Sequence, residues 1–182
     1  MSDSRKRIVR VLGIDPGSVI TGFGVIESDG VRSIYVTHGH IRVKGQNFAE
    51  KLGHIYSAIS DVVAEWQPVQ AAVEQVFMSN NPMSALKLGQ ARGAALTAVV
   101  GHKIPVSEYA ARSIKQVVTG SGNADKAQVQ IMVKSMLGLN RPVQVDAADG
   151  LAIALCHAHA GLHRNNSAPA PRKRQRGRGL RR

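Results

Sequence analysis

The chain has 182 residues, 43% of them hydrophobic but only 4% aromatic, so a single compact core must be filled by aliphatic side chains. One cysteine, Cys156, excludes an internal disulfide and a thiolate metal cluster, and no apolar run reaches the length of about 18 residues that a membrane-spanning helix needs. The formal net charge is +12; residues 1–163 carry +4, while the last 19 residues carry +8 with no acid, which points to a polyanionic partner.

Residues 1–7 read as a polar arm without a hydrophobic leader core, as expected of a soluble cytoplasmic protein. Val9, Val11, Leu12 and Ile14 make a first strand over 10–15 that ends on Asp15. Pro16-Gly17 turns the chain, the proline by its fixed φ and the glycine by tolerating positive φ. A second strand over 22–28 carries Gly22 and Gly24, which leave little bulk beside Asp15, so a phosphate backbone or a metal could come close. Asp29-Gly30 signals a hairpin into a third strand over 31–43.

A helix over 47–66 follows, with Phe48, Leu52, Ile55, Ile59, Val62 and Val63 at helical spacing, Asn47 as cap with Glu50 three residues on, and Pro68 as its stop. Ala71–Phe77 reads as a buried strand with Glu74 in its middle. The helix over 83–100 is rich in small residues, among them Gly89, Gly93, Ala94 and Ala95; such a face admits another helix closely, and the core is the expected place for it. A short strand over 104–109 has Pro105 near its start, as an edge strand allows. Helices over 110–118, 124–137 and 145–162 complete the body. From residue 164 the Arg-, Pro- and Asn-rich tail lacks core-forming residues and is expected to be disordered. Three antiparallel strands plus two parallel additions predict one five-stranded mixed α/β sheet flanked by helices.

Three acidic sites stand out in this basic chain. Asp15 ends a strand. Glu74 interrupts an apolar run, where an unpaired charge costs several kcal/mol or shifts its pKa, so something must compensate it. Asp146 and Asp149 open the last helix at i, i+3 spacing on one face, with Ala147 and Ala148 keeping the space between them clear. Each has a plain alternative: a turn opener, a surface ion pair, helix-terminus charge complementarity. Together they suit oxygen ligation of Mg²⁺ or Mn²⁺ with positions left for water and phosphate. Two such ions about 4 Å apart can drive phosphodiester hydrolysis.

The ordered stretches Gly13-Ile-Asp-Pro-Gly-Ser, Thr21-Gly-Phe-Gly-Val, Val73-Glu-Gln-Val-Phe, Ser84-Ala-Leu-Lys-Leu-Gly-Gln-Ala-Arg-Gly, Tyr109-Ala-Ala-Arg, Lys126-Ala-Gln-Val-Gln and Asp146-Ala-Ala-Asp resemble the bacterial Holliday junction resolvase family RuvC across residues 8–160. The resemblance implies a ribonuclease H-like fold, a homodimer, four-way junction DNA as substrate, two Mg²⁺ per subunit with Mn²⁺ as a substitute, and RuvA and RuvB as branch-migration partners. It implies that Asp15, Glu74, Asp146 and Asp149 are catalytic metal ligands, that Lys115 and Lys126 serve cleavage and junction contact, with Lys126 in the catalytic set, and that Phe77 stacks near the crossover. Read without the resemblance, Lys115 and Lys126 are solvated helix surface and Phe77 is core.

His157 lies two turns beyond Asp149, roughly 12 Å along a helix axis, too far to share a metal with it. Met78 and Met83 read as packing residues, and Gln90 and Arg92 as contacts to DNA or to a second subunit. Sugar kinases and actin-like ATPases share an Asp-x-Gly turn, but they close a second lobe over nucleotide that this length does not supply. An RNA nuclease of the same fold and a non-catalytic nucleic-acid-binding module are the remaining alternatives.

Overall fold

A computed structural model describes residues 7–75 and 81–166, with side chains as far as Ala160. Phe77 and Met78 lie outside the described residues, as does the tail from 167 to 182. The elements run β1 (Val9–Asp15), β2 (Ile20–Ser28), β3 (Ser33–Arg42), α1 (Phe48–Trp66), β4 (Gln70–Glu74), α2 (Pro82–Gly101), β5 (Val106–Tyr109), α3 (Ala111–Thr119), α4 (Lys126–Leu137) and α5 (Val145–Asn166).

The five strands form one sheet in the order β3-β2-β1-β4-β5. β1 to β3 are an antiparallel meander, while β4 pairs parallel to β1, and β5 parallel to β4. This is the expected mixed α/β sheet, with β5 at one edge, where the Pro105 just before it withholds no ladder donor from a neighbour. α1 ends as its sequence dictates. Gln67 precedes Pro68, which disfavours the right-handed helical region for it, and it takes a left-handed conformation (φ 47°) while its N–H caps Val63. At the other end of α1 the Asn47 side chain accepts from the Glu50 N–H.

Two apolar layers sandwich the sheet. On one face α1 and α2 bury Ile55, Ile59, Ala91, Ala95, Ala98 and Val99 against Leu12, Ile14 and Val25. On the other, α5 lies over Val11, Ile26 and Ala72, with α3 and α4 packed around it. Leu151 to Cys156 of α5 are all buried, which makes α5 the axis of this layer. Burial pushes the Cys156 thiol up to about 12, so it is a packing residue rather than a reactive one.

Glycines set how close α5 comes. A Cβ on Gly13 would lie 2.1 Å from the Gly150 carbonyl oxygen, and one on Gly22 would lie 1.9 Å from the Asp146 oxygen. The space left by Gly22 and Gly24, read from sequence as room for phosphate or metal, is therefore occupied by α5 itself. Likewise Ala147 and Ala148 are buried, so their small size serves helix-on-sheet contact. Gly17 is needed for space too: a Cβ there would meet the Ile20 oxygen at 2.1 Å, and its φ is not positive.

Two further expectations change. α2 buries Ala91, Ala95 and Ala98, but Gly89 and Gly93 face open space and Met83 is 60% exposed rather than packed. α5 continues to Asn166, past the expected end at residue 162.

Candidate active site

Asp15 is the last residue of β1, and Glu74 the last of β4. The parallel register pairs Ile14 with Val73, so the next residue on each strand is an acid, and the two carboxylates stand at neighbouring strand ends. Glu74 thus terminates its strand instead of sitting mid-strand, which leaves it partly exposed and explains how an apolar strand tolerates it. The first turn of α5 hangs over Gly22, the β2 partner of Asp15, and delivers Asp146 and Asp149 to the same end of the sheet.

Asp15, Glu74 and Asp149 line one cleft of about 360 Å³ together with Ile114, Lys115 and Lys126. Asp146 is not part of that lining, but its charge is felt by Asp15. Five of the six charged residues expected from sequence therefore share this cleft, Asp146 stands beside it, and Phe77 lies outside the described residues.

The electrostatics are those of a crowded acidic pocket. Burial, then the negative charges of Asp149 and Glu74, push the Asp15 carboxyl up to about 7, against the pull of Lys126. Glu74 is raised for the same reasons, burial first and Asp149 next, with Lys126 and Lys115 opposing. Lys126 Nζ donates to Asp149 Oδ2 at 3.0 Å, and this bond and charge hold its ammonium above the ordinary lysine range. Among the described residues no three acidic, histidine or cysteine side chains are close enough to grip one ion without rearrangement.

Arg92 reaches inward from α2. Its Nε donates to the Glu74 carbonyl oxygen at 3.3 Å, and one terminal nitrogen lies 2.7 Å from Glu108 Oε2. That nitrogen makes no directed hydrogen bond, so the Glu108 contact acts through charge. Arg92 was expected at DNA or a second subunit; instead it ties α2 to the ends of β4 and β5. Its sequence signal, an arginine among small residues, did not distinguish these roles. Replacing Arg92 with Met should cost about 1–2 kcal/mol in urea unfolding, the worth of one charged hydrogen bond plus a half-exposed ion pair. A loss below about 0.3 kcal/mol would show that the β4 end holds itself.

His157 is accounted for elsewhere. Its Nδ1 is 2.9 Å from the Tyr109 hydroxyl and its Nε2 3.0 Å from Gln70 Oε1, and burial lowers its pKa. It joins β4, β5 and α5 as a neutral ring.

A sheet of this order, with acids at the ends of the parallel strands β1 and β4 and at the start of the helix packed over the sheet, places the chain in the ribonuclease H-like class. The family model for "Crossover junction endodeoxyribonuclease RuvC" matches residues 11–157. The RuvC of Psychromonas ingrahamii is 55% identical over 149 residues, which is 82% of this chain and 86% of that protein. The RuvC of Haemophilus ducreyi is 54% identical over 153 residues, covering 84% of this chain and 80% of that one. The chain belongs to the RuvC family of crossover junction endodeoxyribonucleases. Among solved structures, Thermus thermophilus RuvC in complex with a Holliday junction substrate superimposes with a TM-score of 0.78 at 35% identity, over 84% of this chain and 94% of that one. The yeast mitochondrial Holliday junction resolvase Ydc2, at 13% identity and a TM-score of 0.66, shares the fold.

Proposed function

We propose that this protein resolves four-way DNA junctions, nicking two strands of like polarity symmetrically about the crossover, with Asp15, Glu74, Asp146 and Asp149 as its metal ligands. The observation that carries this reading is the shared cleft of Asp15, Glu74 and Asp149, drawn from three segments far apart in sequence. The donor set fits hard divalent cations: carboxylate oxygens only, in a pocket where burial and then the charges of Asp149 and Glu74 raise Asp15 to about 7. Two Mg²⁺ per subunit, with Mn²⁺ as a substitute, would supply an activated water and a counter-charge for the leaving oxygen. Binding would draw the carboxylates inward from their present positions.

The chain's own residues do the rest. Lys126 holds Asp149 in place and leaves its other donors for a phosphate oxygen, while Lys115, one helix away, lines the same cleft and opposes the charge on Glu74. Both attract the backbone that the bare carboxylates repel. Phe77 is assigned to base stacking at the crossover by sequence likeness alone. The arginine-rich tail adds sequence-independent attraction to phosphate. RuvA and RuvB are the proposed partners, and the cytoplasm the proposed site of action; among the described residues no helix is long and apolar enough to cross a membrane. The test is cleavage of a synthetic mobile four-way junction with and without Mg²⁺, against linear duplex and structured RNA. Equal cutting of all three substrates would remove the junction-resolving role.

Symmetric nicking requires a homodimer, and α2 offers the face for it. Leu86, Gly89, Gly93, Thr97 and Val100 repeat at three- and four-residue intervals. Leu86 and Val100 are more than half exposed, and both glycines face open space. Small residues on such a stripe let two helix backbones approach closely. The double variant Leu86→Glu/Val100→Glu is expected to sediment as a monomer with an unchanged far-UV spectrum. It should then leave most junctions with a single nick. A dimer that persists in this variant would move the interface off α2.

A further inference from the structure

The sheet register places a row of basic side chains on the face of the acidic cleft, starting level with it, on the side away from β5. Gly22 pairs with Asp15 on β1 and with His40 on β3. Directly paired residues of an antiparallel ladder point to the same face, and the Gly22 Cβ direction runs into α5 at the Asp146 carbonyl. His40 therefore stands on the carboxylate-bearing face, in the same row as Asp15. Two strand spacings put it about 10 Å away. Arg42, opposite Ile20, takes the same face by alternation. The bond from the Val43 N–H to the Val19 oxygen, at 2.9 Å, carries the ladder one residue further, and Lys44 comes next, just past the end of β3.

His40, Arg42 and Lys44 are all exposed, and among the described residues none of their side chains has a hydrogen bond or an ion pair. Three cations of the body are tied to acids instead: Arg10 to Glu27, Arg92 to Glu108 and Lys126 to Asp149. The acid next to this stripe, Glu50, accepts from the Gln46 N–H and from Asn47 at the start of α1. Basic side chains on an edge strand also serve to keep sheets from pairing. That role would be met by charges on either face and at any height; here they share the face of the acidic cleft and run outward from its level.

We infer that His40, Arg42 and Lys44 form a phosphate track along β3 that holds the DNA backbone on the β3 side of the scissile position. At about 3.4 Å of helix axis per nucleotide, the 10 Å from Asp15 to His40 spans about three nucleotides, so Arg42 and Lys44 meet phosphates further out along the same strand. The inference rests on the resolvase reading, and places part of the substrate outside the cleft.

The test uses the full chain with Arg42→Gln/Lys44→Gln, and Arg32→Gln at the opposite end of β3 as control. Junction affinity is measured across a KCl series in Ca²⁺, and single-turnover cleavage at saturating junction in Mg²⁺. Releasing two phosphate contacts should flatten the log–log salt slope by about 2, with cleavage rate at saturation within about twofold of the parent and the cut position unchanged. Arg32→Gln should leave the slope as it was. An unchanged slope in the double variant, or an equal loss in Arg32→Gln, overturns the track while leaving the resolvase reading intact. A parent protein that cuts no junction overturns both. A melting temperature within about 2 °C of the parent establishes that the variant is folded.

Discussion

Glu74→Gln should lower the single-turnover rate of junction cleavage by about 10²–10³-fold or more while leaving junction affinity within a fewfold of the parent, because the amide keeps the shape but loses the anionic ligand. Asp15→Asn should do the same, and it carries a second signature. Asp15 titrates near 7 in the folded protein against about 3.8 for the free side chain, through burial and the negative charges of Asp149 and Glu74. A raised acid costs nothing at a pH below its unfolded value; the cost builds between the unfolded and folded values, where the unfolded chain ionises while the native state keeps its proton, and is complete above the folded value. In metal-free buffer Asp15→Asn should thus raise the melting temperature by several degrees at pH 8 and hardly at all at pH 4. Mg²⁺ should stabilise the parent at pH 8 more than the variant. A variant that melts with the parent at both pH values would mean that the cleft is wet enough to leave Asp15 unperturbed. A variant that still cuts would remove Asp15 from the metal site.

Gly150→Val is expected to be the most damaging single change away from the acids. A Cβ at Gly150 would lie 2.6–2.8 Å from backbone atoms of Phe23 and Gly24, which cannot swing aside as a side-chain tip can. α5 would have to lift from β2, opening the layer that buries Leu151, Ala154 and Leu155 and withdrawing Asp146 and Asp149 from Asp15. Overpacking of this kind costs about 1–3 kcal/mol and more where backbone must move. We expect a melting temperature lower by about 10 °C or insoluble expression, with cleavage lost in any soluble fraction; Gly53→Ala, where a Cβ meets nothing within 4 Å, is the matching control. Parent-like melting of Gly150→Val would show that α5 can shift without cost.

The element pattern was readable because each segment announces its own period and its own stops. Asn47, Pro68, Asn81 and Gly120 end or begin helices where the local chemistry says they should. The acids were readable as a set because few charges interrupt the apolar runs, and three of them do line one cleft with both expected lysines. What local pattern does not encode is which neighbour fills a gap. Gly22 and Gly24 announce missing side chains, but only the tertiary arrangement shows that α5 takes the space. The small residues of α2 divide between an inner face and an open one, a division that depends on helix rotation about its axis. Arg92 and Met83 exchange the roles expected of them for that reason: one turns in to the strand ends and the other turns out.

The proposed metal ligands stand at positions 15, 74, 146 and 149, so the cleft is assembled from three segments far apart in the chain. Contacts this distant in sequence form late, after the entropy of closing long loops has been met. A ribosome that has made the first 130 residues holds a chain with Asp15, Glu74 and Lys126 but without the helix that lies across β1 and β2. Such a nascent chain has no complete constellation with which to attack a chromosome. On the proposed reading, nuclease competence waits for α5 to be made and docked.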